Sequence, residues 1–106
     1  MTPIRITETA RGEIERAAAW YEGQREGLGI KFTDRVLETI DRIAANPVGY
    51  RKVVGEARRA TVHKFPYALW FKLNEDGSLV IACLHAKRSS ALAKERAGGV
   101  IPFPER

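Results

Sequence analysis

The chain has 106 residues, the length of one domain, and its 44% hydrophobic and 29% charged residues are typical of a globular protein rather than a disordered one. No apolar run approaches the ~20 residues that span a bilayer, no signal-peptide pattern follows the first methionine, and the single cysteine, Cys83, excludes an intrachain disulfide and disfavours a zinc cluster. The net charge of +5 indicates an anionic partner, no residue pattern indicates a metal or a cofactor, and we expect a cytoplasmic protein.

The first part of the chain predicts a short strand and a helix. Residues 4–6 are a strand candidate after Pro3, a residue that suits a strand start. Either Thr7 or Thr9 can cap a helix that runs to about Glu22. The glycines that follow predict a loop, and they are Gly23, Gly27 and Gly29.

A second helix is predicted from about Gly29 to Asn46. The Asn46-Pro47 pair ends it, because a residue before proline avoids the helical region. The apolar residues of this helix recur at helical spacing and form one stripe, made of Phe32, Val36, Ile40 and Ile43 and widened by Leu37 and Ala44. The two helices are expected to form an antiparallel hairpin.

The second half of the chain predicts a meander of strands after an irregular stretch at 48–56. Three strands are expected, at 58–63, 68–73 and 79–85. The Phe65-Pro66-Tyr67 sequence predicts a sharp corner between the first two strands, since proline fixes its backbone dihedral and has no N–H to donate. The Asn74-Glu75-Asp76-Gly77 sequence predicts the turn between the last two.

The strand at 79–85 is apolar on both of its faces, which is typical of a central strand. The strand at 68–73 has the same character. Only two helices are available to cover the sheet, and they can cover only one of its faces. We therefore expect exposed apolar groups on the opposite face, where large apolar patches usually mark interaction sites.

The end of the chain is expected to lie apart from the main domain. Ser89 or Ser90 can cap a short helix that runs to about Arg96, and Gly98-Gly99 ends it. The predicted division is a domain at 1–97 and a Gly/Pro-containing tail at 98–106. That apolar tail could pack on the domain, dock on a partner or stay disordered.

The positive charge is concentrated in one segment. Residues 1–50 carry seven basic and eight acidic side chains, whereas residues 51–72 carry six basic side chains and one acidic side chain. This asymmetry favours nucleic acid or an acidic protein segment as the partner. The alternative is a solvated basic face that serves only solubility.

The order of elements and several short motifs resemble the RelE/ParE superfamily of small bacterial toxins. The motifs that carry the resemblance are Ala19-Trp20-Tyr21-Glu22, Leu28-Gly29-Ile30-Lys31-Phe32, Arg58-Arg59 leading into Phe65-Pro66-Tyr67, and His85-Ala86-Lys87-Arg88. The resemblance implies an α+β fold of order β-α-α-β-β-β, in which a helical hairpin packs on a mostly antiparallel sheet.

The resemblance also implies the toxin of a type II toxin–antitoxin system, neutralised by a cognate antitoxin. ParE-like members inhibit DNA gyrase, and this branch is favoured because the residues near the C-terminus include Phe103 and no titratable ring, whereas RelE-like nucleases tend to carry a Tyr or His there. A RelE-like ribosome-dependent mRNA endoribonuclease is the alternative, and a non-toxic basic binding module is the second alternative. A homodimer or a heterotetramer with the antitoxin is expected by analogy.

The two activities require different residues. RNA cleavage needs a base, an acid and cations around the phosphate, and the candidates for those roles are Arg59, His85, Lys87 and Arg88, with His63 and Tyr67 as further possibilities. Gyrase inhibition needs no catalytic set. The residues expected to contact the antitoxin or the target are Arg58, Arg59, Lys64, Trp70, His85, Lys87 and Arg88.

Each of these residues also has a purely structural interpretation. His85 can hydrogen-bond across the sheet or cap the next helix, and Arg58 and Arg59 can be solvated residues of a strand edge. Tyr67 is interpreted as a core or corner aromatic residue. The tryptophans Trp20 and Trp70 are expected to pack in the interior, and Cys83 is expected to be a small buried hydrophobic residue.

Overall fold

The computed structural model describes residues 2–88. Its helices and strands, in chain order, are β1 (Ile4–Ile6), α1 (Glu8–Gln24), α2 (Leu28–Ala45), β2 (Lys52–Val54), β3 (Ala57–Thr61), β4 (Tyr67–Asn74) and β5 (Gly77–His85). Short 3-10 helices follow α2 and β5, at Pro47–Gly49 and Ala86–Arg88. The predicted helix after Ser89 and the predicted tail at 98–106 lie outside the described residues.

The five strands form one sheet in the order β1-β5-β4-β3-β2. Strand β1 runs parallel to β5, and the other neighbours are antiparallel. This arrangement confirms the predicted α+β class, the order of the elements and the inner position of the last strand. In the described part of the chain, no helix is long and apolar enough to cross a membrane.

The prediction that 48–56 is irregular is wrong at its centre, where β2 lies. This strand has three residues and two register pairs with β3, Lys52↔Arg58 and Val54↔Ala57, with an irregularity between them. Gly55 turns the chain between β2 and β3 with a φ of 54°. The Lys-Val-Val sequence of β2 has no alternation of apolar and polar residues, so its pairing with β3 rather than its own pattern makes it a strand.

Helix α1 begins at the threonine nearer the strand. The Ala10 amide donates to Thr7 Oγ1 at 3.1 Å, so Thr7 rather than Thr9 is the N-cap. The Thr7 amide donates to the Val80 carbonyl oxygen at 3.0 Å, which joins the start of the helix to β5. The small residues Ala10 and Ala17 are buried, and they let α1 lie close to the sheet.

The connection between α1 and α2 is shorter than predicted. Gly23 lies within α1 and Gly29 within α2, so only Gly27 of the three glycines lies between the helices. Gly27 has a φ of 87°, a left-handed conformation that suits glycine. The Glu22 carboxylate accepts from the Gly27 amide at 3.0 Å and from the Gly29 amide at 2.9 Å, and this bridge takes the place of an N-cap side chain for α2.

Most of the predicted stripe of α2 is buried, but Ile40 is only half-buried and Leu37 is exposed. Phe32, Val36 and Ile43 are fully buried, whereas Leu37 is 53% exposed. Leu37 lies one residue beyond Val36, which turns it by about 100° around the helix and away from the core. The helix ends at Asn46-Pro47, as predicted.

An aromatic cluster joins the hairpin to the corner between β3 and β4. The Phe32 ring centroid lies 5.2 Å from that of Tyr21, 5.1 Å from that of Phe65 and 5.3 Å from that of Tyr67. The Val62 amide donates to the Tyr67 carbonyl oxygen at 2.9 Å, which closes the predicted corner. The hairpin therefore holds the end of β4 in place.

The sequence predicted exposed apolar groups on the face of the sheet opposite the helices, and this prediction is wrong. Trp70, Ile81 and Ala82 are fully buried, and Leu84 is nearly so. Val54 and Leu79 pack against them. A β-bulge contributes to this cluster: Trp70 pairs with Ala82 but Phe71 pairs with Val80, so the extra residue Ile81 joins Ala82 on the same face.

Candidate functional site

Tyr67 and His85 lie side by side at neighbouring ends of β4 and β5. They are register partners, and their rings meet edge to face with centroids 5.3 Å apart. His85 Nδ1 accepts a hydrogen bond from the Lys87 backbone amide at 3.1 Å. Through this contact His85 caps the short 3-10 helix at Ala86–Arg88, which fits its structural interpretation as a cap of the next helix. It places the proton of the neutral ring on Nε2, which leaves Nε2 as a donor.

An open cavity of about 320 Å³ separates α1 from this end of β5. We call it the α1–β5 groove, and its lining consists of Glu13, Arg16, Ala17, Trp20, Tyr67, Cys83, Leu84 and His85. It exists because β1 pairs with β5 only at 78–80, so no described strand lies beside 81–85 on that side. The Glu13 carboxylate reaches into the gap and accepts from the Cys83 amide at 2.9 Å.

Cys83 is a buried residue of this region, as the sequence predicted. Burial, and secondarily the negative charge of Glu13, raises the pKa of its thiol to about 12. A thiol with that pKa stays protonated at neutral pH and is a poor nucleophile. Cys83 therefore contributes packing rather than chemistry.

Trp20 is the most conspicuous side chain at the rim of the groove, and its predicted burial is wrong. It is 59% exposed, and its ring contacts Tyr21 with centroids 5.1 Å apart. Exposed tryptophans next to a concavity are typical binding hot spots. Glu13, Arg16 and Trp20 line the groove but were not predicted as site residues. The spacing of α1 offered a signal for Trp20, since it falls outside the stripe through Ala17 and Tyr21.

Arg59 lies on the other face of the sheet from His85. Its guanidinium carbon is 5.7 Å from the centroid of the Trp70 ring, and Trp70 is its register partner. Among the described residues, Trp70 Nε1 has no hydrogen-bond partner. Because Tyr67 and His85 belong to the face that carries the helices, the proposed nuclease residues Arg59 and His85 do not converge on one point.

A smaller cavity of about 150 Å³ lies at the corner between β3 and β4. Its lining includes Arg59, Pro66, Tyr67 and Ala86. Tyr67 thus borders this cavity as well as the α1–β5 groove, and it is half-buried among aromatic rings, as its structural interpretation expected. Arg59 approaches the end of β5 only around this corner.

The remaining basic candidates are spread over several surfaces. Arg58 is half-buried and its Nη1 donates to the Tyr50 carbonyl oxygen, so it ties the chain after α2 to β3. Lys64 and His63 are exposed at the corner, and Lys87 is exposed after β5. The prediction for the Arg88 side chain lies outside the described residues.

Comparison with known proteins identifies the fold. No protein-family model matches the sequence, and no curated protein is significantly similar to it. Among solved structures, the chain is similar to a chain of the chromosomal ParDE TA system from P. aeruginosa, with a TM-score of 0.72 and 12% sequence identity. The similarity covers 80% of this chain and 96% of that one. It shows that the two chains share a fold, and it bears out the fold that the sequence predicted.

Proposed function

We propose that this protein, which has a RelE/ParE-type fold, is the toxin of a type II toxin–antitoxin pair. The observation that carries the proposal is the structural similarity to a chain of a ParDE TA system, at a TM-score of 0.72 over 80% of the chain. The sequence motifs independently resemble the same superfamily. The partner is then a cognate antitoxin, and the cytoplasm is the compartment in which the pair acts.

The α1–β5 groove is the surface that we assign to the antitoxin. It combines a cavity of about 320 Å³ with the half-exposed ring of Trp20 at its rim. Arg16 stands in the same groove and can meet an acidic side chain of the partner. The tryptophan would supply most of the binding free energy, and the charges would set orientation and association rate.

The proposed target is DNA gyrase rather than messenger RNA on the ribosome. Ribonuclease chemistry requires a base and phosphate-binding cations around one reacting group. Arg59 and His85 lie on opposite faces of the sheet, and His85 Nδ1 is engaged by the Lys87 amide. Inhibition of gyrase needs no such convergence, so the arrangement favours the ParE-like activity. With this activity, the protein would not be an enzyme.

The target can be tested by brief induced expression of the chain in bacteria. Plasmid supercoiling, trapped DNA breaks and messenger RNA cleavage should be measured in the same culture. We expect DNA breaks that require gyrase, and no new RNA ends. The double variant Arg59→Ala with His85→Ala should still cause those breaks. Codon-phased RNA cleavage that disappears in His85→Ala would overturn the gyrase proposal in favour of the ribosome-dependent nuclease.

The antitoxin surface needs a separate test. The probe is the protein encoded next to this chain, co-expressed with it and measured by growth rescue and by affinity in vitro. Trp20→Ala should weaken binding by about 30-fold, the effect of a hot spot worth about 2 kcal/mol. The matched control is Ile30→Ala, because Ile30 is 69% exposed on α2, outside the groove. Equal binding of both variants would remove the groove from the interface, and no growth defect together with no antitoxin binding would remove the toxin proposal.

A further inference from the structure

A second concavity, on the far side of the helical hairpin, carries an excess of positive charge. It has a volume of about 420 Å³ and lies between the end of α1, one face of α2 and the corner between β3 and β4. We call it the hairpin pocket, and its charged lining consists of Arg25, Lys31, Asp34, Arg35, Glu38 and Lys64. Four cations thus face two carboxylates.

Three of these cations have no acidic partner in the described part of the chain. The salt bridges found there are Arg35–Glu38, at 3.1 Å, and Lys52–Glu56, at 3.0 Å. Arg25, Lys31 and Lys64 are exposed and belong to neither. They come from three separate elements, so the fold rather than a run of sequence brings them together.

The backbone at Lys64 supports a binding role for this pocket. Lys64 has a φ of 70°, and no other non-glycine residue within residues 2–88 has a positive φ. A lysine in that conformation is uncommon, and such outliers concentrate at binding and catalytic sites. The following residue, Phe65, lines the pocket and is anchored on Phe32 with ring centroids 5.1 Å apart. The corner therefore holds Lys64 on a rigid base.

We infer that the hairpin pocket binds the phosphodiester backbone of double-stranded DNA. Lysine and arginine side chains from separate elements can each meet a different phosphate, and such contacts do not depend on base sequence. Single strands are usually held by exposed aromatic rings on which bases stack. The pocket lacks such a platform in the described residues, since Phe65 is half-buried between Tyr21 and Phe32. This inference does not depend on the proposed toxin function.

The test measures binding of the full-length chain, made by cell-free synthesis, to a fluorescent DNA duplex at several salt concentrations. Three phosphate contacts predict a slope of log affinity against log salt of about −2.7, which is a loss of about 40-fold between about 50 and 200 mM salt. The triple variant Arg25→Ala, Lys31→Ala, Lys64→Gly should abolish most of that slope. Glycine at position 64 removes the charge while it tolerates the positive φ.

The matched control removes three exposed cations elsewhere: Arg5→Ala, Arg11→Ala and Arg51→Ala. It has the same net charge as the pocket variant, so a general charge effect would weaken both equally. We expect the pocket variant to bind DNA at least about tenfold more weakly than the control variant at low salt. The charge-preserving variant Lys31→Arg, Lys64→Arg should bind like the wild type.

Two results would overturn the inference. The first is equal binding by the pocket and control variants, because the pocket would then have no special role. The second is that poly-glutamate of matched charge displaces the fluorescent duplex as effectively as unlabelled duplex does, and that its binding requires the same pocket residues. That outcome would assign the pocket to an acidic protein segment. Circular dichroism of each variant separates lost binding from lost folding, and neither readout involves gyrase, growth or the antitoxin.

Discussion

The backbone of Gly29 in α2 packs closely against α1, where a larger side chain has no room. The variant Gly29→Ala tests whether this close packing stabilises the fold. A Cβ at position 29 would lie 2.6 Å from the Ala18 carbonyl oxygen and 3.1 Å from Glu22 Cβ. The first distance is to backbone, which cannot rotate away. The added methyl group must therefore push the helices apart or break the hydrogen bond that the Gly29 amide donates to the Glu22 carboxylate at 2.9 Å.

The size of the effect follows from three opposing contributions. Replacing glycine by alanine inside a helix normally stabilises a protein by about 1 kcal/mol. Overpacking of this kind costs about 2 kcal/mol, and loss of the capping hydrogen bond from Glu22 costs about 1 kcal/mol more. We expect a net loss of about 2 kcal/mol in the free energy of unfolding, which lowers the Tm of a domain of this size by about 8–10 °C.

The control is Gly23→Ala, in the neighbouring helix. A Cβ at Gly23 has no atom within 4 Å, so the ordinary helix preference should apply and the variant should be more stable than the wild type by about 1 kcal/mol. Thermal and urea unfolding of both variants, followed by circular dichroism, measures the difference. A Gly29→Ala variant as stable as Gly23→Ala would refute the close-approach argument.

Three further changes probe single interactions. The hydrogen bonds from the Gly27 and Gly29 amides lower the pKa of Glu22 in the folded protein, so the stability that Glu22 contributes is present above its unfolded pKa and is lost as pH falls through its folded pKa. The variant Glu22→Gln should therefore lose less Tm than the wild type on acidification. The same fall of Tm with pH in both proteins would contradict this. Ser78 is buried and its Oγ has no partner in the described structure, so Ser78→Ala should leave the urea midpoint unchanged or raise stability by about 1 kcal/mol, whereas a clear loss would reveal a missed partner. The Cys83 thiol, with a pKa of about 12, should resist a disulfide reagent at about pH 8 until the chain is unfolded, and rapid modification of the native protein would show that the thiol is accessible.

Local signals predicted the elements of this fold. The Asn46-Pro47 stop, the Phe65-Pro66-Tyr67 corner and the turn before Gly77 all act over a few residues, and the structure has each of them where the sequence predicted it. The cap of α1 is Thr7, one of the two threonines that the sequence offered. The strand β2 escaped the prediction because its pairing with β3, rather than its own composition, makes it a strand.

The candidate sites were less predictable because they depend on which side chains share a face. Arg58 and Arg59 are neighbours in sequence, yet Arg58 reaches the chain after α2 and Arg59 covers Trp70 on the opposite side. The α1–β5 groove arises from the short length of β1, which leaves a gap that Trp20 borders. The hairpin pocket likewise brings Lys64 of the corner between β3 and β4 next to Arg25 and Lys31 of the helical hairpin.

The sequence by itself determined the order of both helices and of four of the five strands, the places where they stop or turn, and the resemblance that predicted the fold, since these depend on spacings of one to four residues. Only the tertiary structure decided the faces of the sheet. Side chains alternate along a strand, so a shift of one residue reverses their direction, and the bulge at Ile81 introduces such a shift in the middle of β5. Pairing across strands, which no local pattern encodes, therefore placed Arg59, Trp70 and His85.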